Sequence, residues 1–458
     1  MRLLNIGRDN FIRGESSAND VADGGFSPLS YDLNLIRVRG VLNFAPTRTD
    51  RGGVTLTNVP LAATFDRTLS GQDAYYLDSG GAFYTLASDD TFTKRQTITA
   101  GTFVIGTSEI LQYEAVVGSP FLFATTETKI IRFTGSTLAA AAPDTDFWTG
   151  LTTGVRHPME MVEANIYFGD MNLIHAWDGT TSTSAYVTLP PGVNITSLRK
   201  HPDGQHLIAF CGMGQNYSHT RNTLGRIYIV DTVIKDWIRE IDIEVQVEGS
   251  RLVGGVVYVT YGNNVGYFNG NGISFLKKLV DSATTYSHNM GNLEDILLVR
   301  DGRHVRAFGD LGAGKVWWRC ASTAASTDGD INCLLYRGDN KLTICYQDTG
   351  GSDYIKELDY DGAGVATGIF YANREVFPSE VMIRKIEIDH DKNSGTYALT
   401  HNDWEDTVVT LSETITTLAT QGITKRNINY KTDNFQWRQG QGPGEIRNIR
   451  IYYDPIKQ

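Results

Sequence analysis

The chain has 458 residues, of which 41% are hydrophobic and 20% charged, so it is a folded protein and long enough to exceed one ordinary domain. A formal net charge of −11 speaks against a protein that grips nucleic acid through Lys and Arg contacts to phosphate. Aromatics at 10% and 47 Gly against 12 Pro favour many short strands and turns over long helices.

Residues 1–60 form the first segment, read as an irregular N-terminal arm with a ring-closing strand. Met1–Asn10 lacks the apolar stretch of a secretory signal, and no apolar run in the chain approaches the ~20 residues of a membrane span. The expectation is a protein that folds in the cytoplasm where it is made, with no membrane span. Ile36 and Val38 alternate with Arg37 and Arg39, which predicts one strand. The arm either closes a ring or embraces a neighbouring subunit.

Residues 61–368 repeat one unit. Asp73–Leu86 is a predicted hairpin with a Ser-Gly-Gly turn. In the clearest copy Tyr167 leads by ten positions to Trp177-Asp178-Gly179. Phe123 leads likewise to Phe133-Thr134-Gly135, and Tyr258 to Phe268-Asn269-Gly270. Looser copies run from Leu298 to Phe308 and from Tyr336 to Tyr346. Ten residues hold one strand, a turn and most of a second strand, and the two aromatics are expected to face one packing layer. The anchors Tyr76, Phe123, Tyr167, Phe210, Tyr258, Leu298 and Tyr336 are separated by 47, 44, 43, 48, 40 and 38 residues. A four-stranded propeller blade takes about 40–50 residues, and the spacing predicts six or seven blades.

Residues 136–155, rich in Ala, Thr and Gly, carry little sign of order, and Leu189-Pro190-Pro191-Gly192 separates two units. A long polar loop follows Cys211, and its length makes it a candidate contact site or an exposed excursion. Residues 369–458 alternate differently, with Ile386/Ile388 and Ile449/Ile451, and read as a C-terminal antiparallel β-sandwich. Leu411–Thr420 is the one modest helix candidate. The fold class is therefore all-β: a propeller with an N-terminal arm and a C-terminal sandwich.

Motifs that could carry chemistry fall short of it. Gly309–Lys315 fits GxxxxGK, but Val316 stands where a magnesium-binding Ser or Thr is needed, and Val316–Arg319 reads as a strand where a phosphate loop opens a helix. Asp389–Gly395 resembles a calcium loop with its Gly one place late and Thr400 in place of the bidentate Glu. His201 and His206 flank an Asp203-Gly204 turn at a spacing that does not share a helix face. Asp144/Asp146 and Asp328/Asp330 are loop carboxylates, and no GxSxG is present. Trp177, Phe133 and Phe268 are expected as core wedges. Cys211, Cys320, Cys333 and Cys345 form no CxxC pair and are expected as buried thiols, with Cys333 and Cys345 in neighbouring strands. The reading assigns no catalytic, cofactor or metal residue and expects no enzyme.

Asn165–Asp170 running into Trp177-Asp178-Gly179 resembles the propeller proteins of tailed-bacteriophage virions, as does Gly204–Phe210 leading to Arg226–Val230 and Trp237. These are the tail nozzle, or tail tubular protein B-like, components and related hub proteins. Asp23–Pro28 is similar to their opening segment, and Thr432–Arg438 with Glu445–Tyr453 to their terminal sandwich. Trp177-Asp178 and Gly254-Gly255 are isolated, unlike the periodic signatures of WD40 and kelch proteins. The resemblance implies a ring, commonly a hexamer, below the portal and adaptor, possessing a lumen through which genome DNA passes without sequence-specific binding. It implies the virion tail as location, with tail fibres as further neighbours. The competing classes are a tail-tip propeller that binds a receptor or polysaccharide and an intracellular protein-interaction propeller.

Overall fold

Apolar runs of five to eight residues, punctuated by residues at positive φ such as Gly81, Gly179, Gly204 and Gly270, set up antiparallel hairpins throughout the chain. A computed structural model describes residues 1–13, 33, 35, 48–51, 56–65, 73–97, 110–116, 119–134, 144–213, 224–280, 289–312, 314–323, 327–338, 340–360, 369–371, 375–390, 395–399, 413–417, 422–435, 438–440 and 446–456. The strand expected at Ile36–Val38 lies outside the described residues, as does most of the polar loop after Met213.

Seven four-stranded antiparallel sheets follow one another. Blade one occupies residues 60–97, blade two 110–149, blade three 159–188, blade four 193–243, blade five 249–278 and blade six 290–322. Blade seven takes three strands from residues 333–359, and its outermost strand is Thr49–Asp50 from near the start of the chain. The first strand of each blade lies against the first strand of the next, and Cys333–Tyr336 of blade seven lies against Pro60–Phe65 of blade one. The ring thus closes at seven blades.

The cassette works differently from its sequence-level reading. Tyr167 pairs with Ala176, Phe123 with Arg132, Tyr258 with Tyr267 and Leu298 with Ala307, so each anchor faces the residue nine positions on. Side chains alternate across a strand, so the residue ten positions on points to the opposite face of its sheet. Phe123 packs forward on Phe168 and Trp177 of blade three, while Phe133 stacks backward on Phe83 of blade one at 4.7 Å. Tyr258 meets Phe308 of blade six, and Phe268 packs with the apolar residues of blade four. Each cassette therefore sends one large side chain to each neighbour, and this two-sided burial makes an isolated blade unstable and a ring stable. Trp177 is 2% exposed, so the wedge reading holds for it.

The seventh anchor falls one strand early. Tyr336 lies on the innermost strand of blade seven, whereas the other six anchors lie on second strands. The second strand here is Lys341–Gln347. The described part of residues 136–155, from 144 on, holds more order than its composition indicates, because Asp144–Thr149 is the outermost strand of blade two, held by Arg132–Asp144 and Lys129–Asp146 ion pairs.

A further sheet joins the two chain ends. Its order is Arg2–Gly7, Ile446–Pro455, Glu375–His390 and Ile423–Phe435. The alternating isoleucines pair across it, Ile386 with Ile451 and Ile388 with Ile449, all fully or nearly fully buried. The first residues of the N-terminal arm thus belong to the C-terminal unit. Arg8–Ile12 is a short helix the sequence did not announce. The helix expected within Leu411–Thr420 is instead the strand Glu413–Thr417, paired with Gly395–Leu399. Its consecutive β-branched residues disfavour a helix and suit a pleated sheet. One apolar cluster runs from Leu298, Trp318 and Tyr346 of blades six and seven, past Phe11, to Ile383 and Ile451 of the terminal sheet.

Candidate functional site

Among the described residues, ligating side chains converge at the hairpin joining the first two strands of blade four. Val193–Lys200 and His206–Met213 pair with Lys200 opposite Leu207. One step further out, the His201 N–H donates to the His206 carbonyl at 2.9 Å, and Gly204 N–H to the His201 carbonyl at 2.9 Å. Gly204 takes φ +82°, which lets the turn tighten. Asp203 Oδ1 accepts the N–H groups of Gln205 at 2.9 Å and His206 at 3.1 Å, leaving Oδ2 to the imidazoles. His206 Nδ1 lies 2.6 Å and His201 Nδ1 2.9 Å from Oδ2. Burial pulls the Asp203 carboxyl upward, but those backbone donors and the two imidazoles outweigh it and hold it well below the usual carboxylate range. On the far side, His206 Nε2 faces Asp231 Oδ2 at 3.8 Å. His201 lies edge-on to Phe268 of blade five, ring centres 6.3 Å apart.

Sequence reasoning set these histidines aside because a five-residue spacing does not share a helix face. Across a hairpin the same spacing places both residues directly opposite each other. The signal that finds them is His-x-Asp-Gly-x-His read as a turn between two apolar runs.

A second feature is a cavity of about 430 Å³ at the terminal sheet, lined by Asn5, Arg8, Asn10, Arg13, Arg447 and Asn448. Its three guanidinium groups give it positive character on an acidic protein. Around the propeller axis, polar side chains stitch successive innermost strands together. Arg199 of blade four binds Glu160 of blade three at 2.7 Å and the Ser250 carbonyl of blade five at 2.7 Å. Ser197 and Ser250 hydroxyls meet at 2.6 Å, and Arg251 reaches Asn292 of blade six at 3.1 Å.

The other motifs resolve as turns. Gly309–Lys315 is the hairpin between His304–Asp310 and Lys315–Ser322, where Asp310 Oδ1 accepts from Gly312 and Gly314, and Lys315 Nζ meets the Tyr258 hydroxyl at 3.1 Å. His390 ends a strand and its Nε2 lies 2.9 Å from Thr424 Oγ1; residues 391–394 lie outside the described residues. Cys333 and Cys345 are direct cross-strand partners, and all four cysteines are buried free thiols.

No protein-family model and no curated protein matches this chain. Among solved structures, it is similar to the β-propeller domain of Myceliophteria thermophila Cps50 (Swd1) at 11% identity and TM-score 0.48, over 69% of this chain and 98% of that one. It is similar to a streptogramin B lyase at 10% identity and TM-score 0.46, over 68% and 93% of the two chains. Kuenenia stuttgartiensis hydrazine synthase gives 11% identity and TM-score 0.48, over 65% and 94%. The all-β propeller fold is read from this chain's own seven four-stranded sheets and the ring of contacts between their innermost strands.

Proposed function

We propose that the chain is a structural ring component of a bacteriophage tail, a nozzle or hub subunit below the portal and adaptor that forms part of the conduit for ejected DNA. The observation that supports this most is the double fastening of the molecule. Thr49–Asp50 completes the last blade, and Arg2–Gly7 completes the sheet that ends the chain. A disc fastened twice keeps its shape under load, as a conduit wall must. The net charge of −11 supports a surface past which phosphates slide without holding.

The outer rim supports self-association. Val233, Ile234 and Ile238 of blade four and Phe275 of blade five are all exposed, Ile238 and Phe275 on outermost strands and Val233 and Ile234 at the tip beside one. Apolar groups grouped this way mark contact surfaces. A cyclic ring is built from unlike patches on each subunit, one of which this rim supplies. In this reading the protein is scaffolding and not an enzyme, assembles in the host cytoplasm as a hexamer and resides in the virion tail.

The test is negative-stain imaging of the purified full chain at high concentration, alone and with the portal, adaptor and fibre proteins of the same genome. Closed rings that stack on the adaptor are expected. Monomers under every condition would overturn the reading, and specific glycan binding or depolymerase activity by the isolated chain would transfer it to the tail tip.

A further inference from the structure

We propose that the first turn of blade four is a binding site for a divalent transition-metal ion, with His201, Asp203 and His206 as ligands. Their ligating atoms, one from each residue, all lie within 4.8 Å of one another. Ligand atoms of a tetrahedral site with ~2.0–2.1 Å bonds stand about 3.3 Å apart. His201 Nδ1 at 2.9 Å and His206 Nδ1 at 2.6 Å from Asp203 Oδ2 reach that spacing by moving apart about 0.4 and 0.7 Å, within the reach of side-chain rotation. His201 directly follows one of two paired strands, His206 begins the other and Asp203 sits in the tight turn between them, so little chain ordering is left for binding to supply.

The groups around the ligands are placed as metal sites place them. Backbone N–H groups hold Asp203 Oδ1, which fixes the carboxylate with Oδ2 turned to the imidazoles. Asp231 Oδ2 stands on the Nε2 side of His206. In the metal-free turn His206 Nδ1 donates to Asp203 Oδ2; a metal on Nδ1 releases that proton and leaves the ring proton on Nε2, on the side of the Asp231 carboxylate. Asp231 is itself held, its Oδ1 accepting from Val233 at 2.8 Å and Ile234 at 3.1 Å. Phe268 backs the His201 ring.

Two imidazole nitrogens and one carboxylate oxygen suit zinc, cobalt, nickel or copper better than magnesium or calcium, which take all-oxygen shells. Three protein ligands leave a position open to solvent, for water or for a side chain of a neighbouring molecule. The first-to-second and third-to-fourth turns of an antiparallel blade emerge at the same end. The site therefore shares a face with the exposed Val233–Ile234 tip. The proposal does not depend on the tail assignment.

The test uses the untagged full chain, freed of metal with chelator. Calorimetric titration with Zn²⁺ at about pH 7.5 is expected to give one ion per chain, weakening toward pH 5.5 as the imidazoles protonate. His201→Gln and His206→Gln are each expected to lower affinity at least tenfold, and Asp231→Asn about tenfold. Unchanged stoichiometry and affinity in the His201→Gln/His206→Gln double variant would overturn the proposal, as would no binding at about 0.1 mM Zn²⁺. Far-UV circular dichroism in chelator checks that the variants fold. Cu²⁺ bound to the unaltered chain gives a reading that needs no variant: nitrogen hyperfine structure from two imidazoles is expected, and a spectrum with oxygen ligands alone would overturn the site.

Discussion

Trp177 and Phe123 come from neighbouring blades and meet edge to face, ring centres 5.4 Å apart. That contact is the smallest unit of the ring. Trp177→Ala is expected to lower stability by about 3–5 kcal/mol, because a large buried wedge leaves a cavity between two sheets that cannot both collapse into it. Urea denaturation followed by circular dichroism measures this. Two buried titrating groups act in opposite directions. Burial, with Arg319 and Arg303 nearby, pushes His304 down to about 3, so the fold is favoured above pH 6.5 and loses that contribution as pH falls below it. Burial raises Glu248 to about 7 against the pull of Arg156, and its Oε2 has no hydrogen-bond partner among the described residues. The folded state then binds the extra proton between about 4.5 and 7, so this group's contribution is lost as pH rises through that window. Glu248→Gln is expected to gain stability over the parent progressively from pH 5 to pH 7 and hold the gain above it. The bound is about 1.4 kcal/mol per pH unit, read from denaturation midpoints. A flat difference across that range would rule out Glu248 as the titrating group.

At the scale of the element, the closing strand is the instructive case. Thr49–Asp50 has two residues, pairs with Glu357 and Lys356, and shows no pattern a sequence reader could seize. Its partner is some three hundred residues away, and what holds it is charge. Arg51 binds Glu357 at 2.8 Å and Asp90 at 2.6 Å. Arg337 binds the same Glu357 and donates to the Ala87 carbonyl of blade one at 2.8 Å. The Glu357 carboxylate is 1% exposed, so Arg337→Ala is expected to cost about 3–5 kcal/mol by leaving a buried charge half paired. Thermal unfolding of the variant, compared with that of Glu357→Gln/Arg337→Met, separates the lost partner from the lost packing. Blades two, three and five are legible because an aromatic on the second strand and another on the third recur at one interval; blade six keeps the interval with Leu298 in the first place, and blade four keeps only the spacing of its Phe210 anchor. Blade seven was misplaced because Tyr336 and Tyr346 repeat the same interval one strand too early. The metal-site candidate was missed for a related reason: His201 and His206 were tested against a helix, although Asp203-Gly204 between two apolar runs calls for a hairpin. Asp144–Thr149 escaped because an outermost strand needs only one buried face, and its ion pairs carry no periodic signature.

At the scale of the molecule, the rim residues connect the fold to the proposed assembly. Ile234 is 62% exposed at a hairpin tip and makes no demand on the core. Ile234→Asp is expected to abolish ring formation in the imaging experiment while moving the unfolding midpoint by less than about 0.5 kcal/mol equivalent. Rings that persist in this variant would place the subunit contact elsewhere on the disc. The fastening of the ends has a consequence in time. Strand Thr49–Asp50 leaves the ribosome early, but the Asp353–Asp359 strand it must join is made only after the first six blades, and Arg2–Gly7 waits for Ile446–Pro455. Contacts so distant along the chain slow folding. The nascent protein thus stays an open arc with uncovered blade faces until Asp353–Asp359 emerges, and its second fastening waits a further stretch of synthesis for Ile446–Pro455.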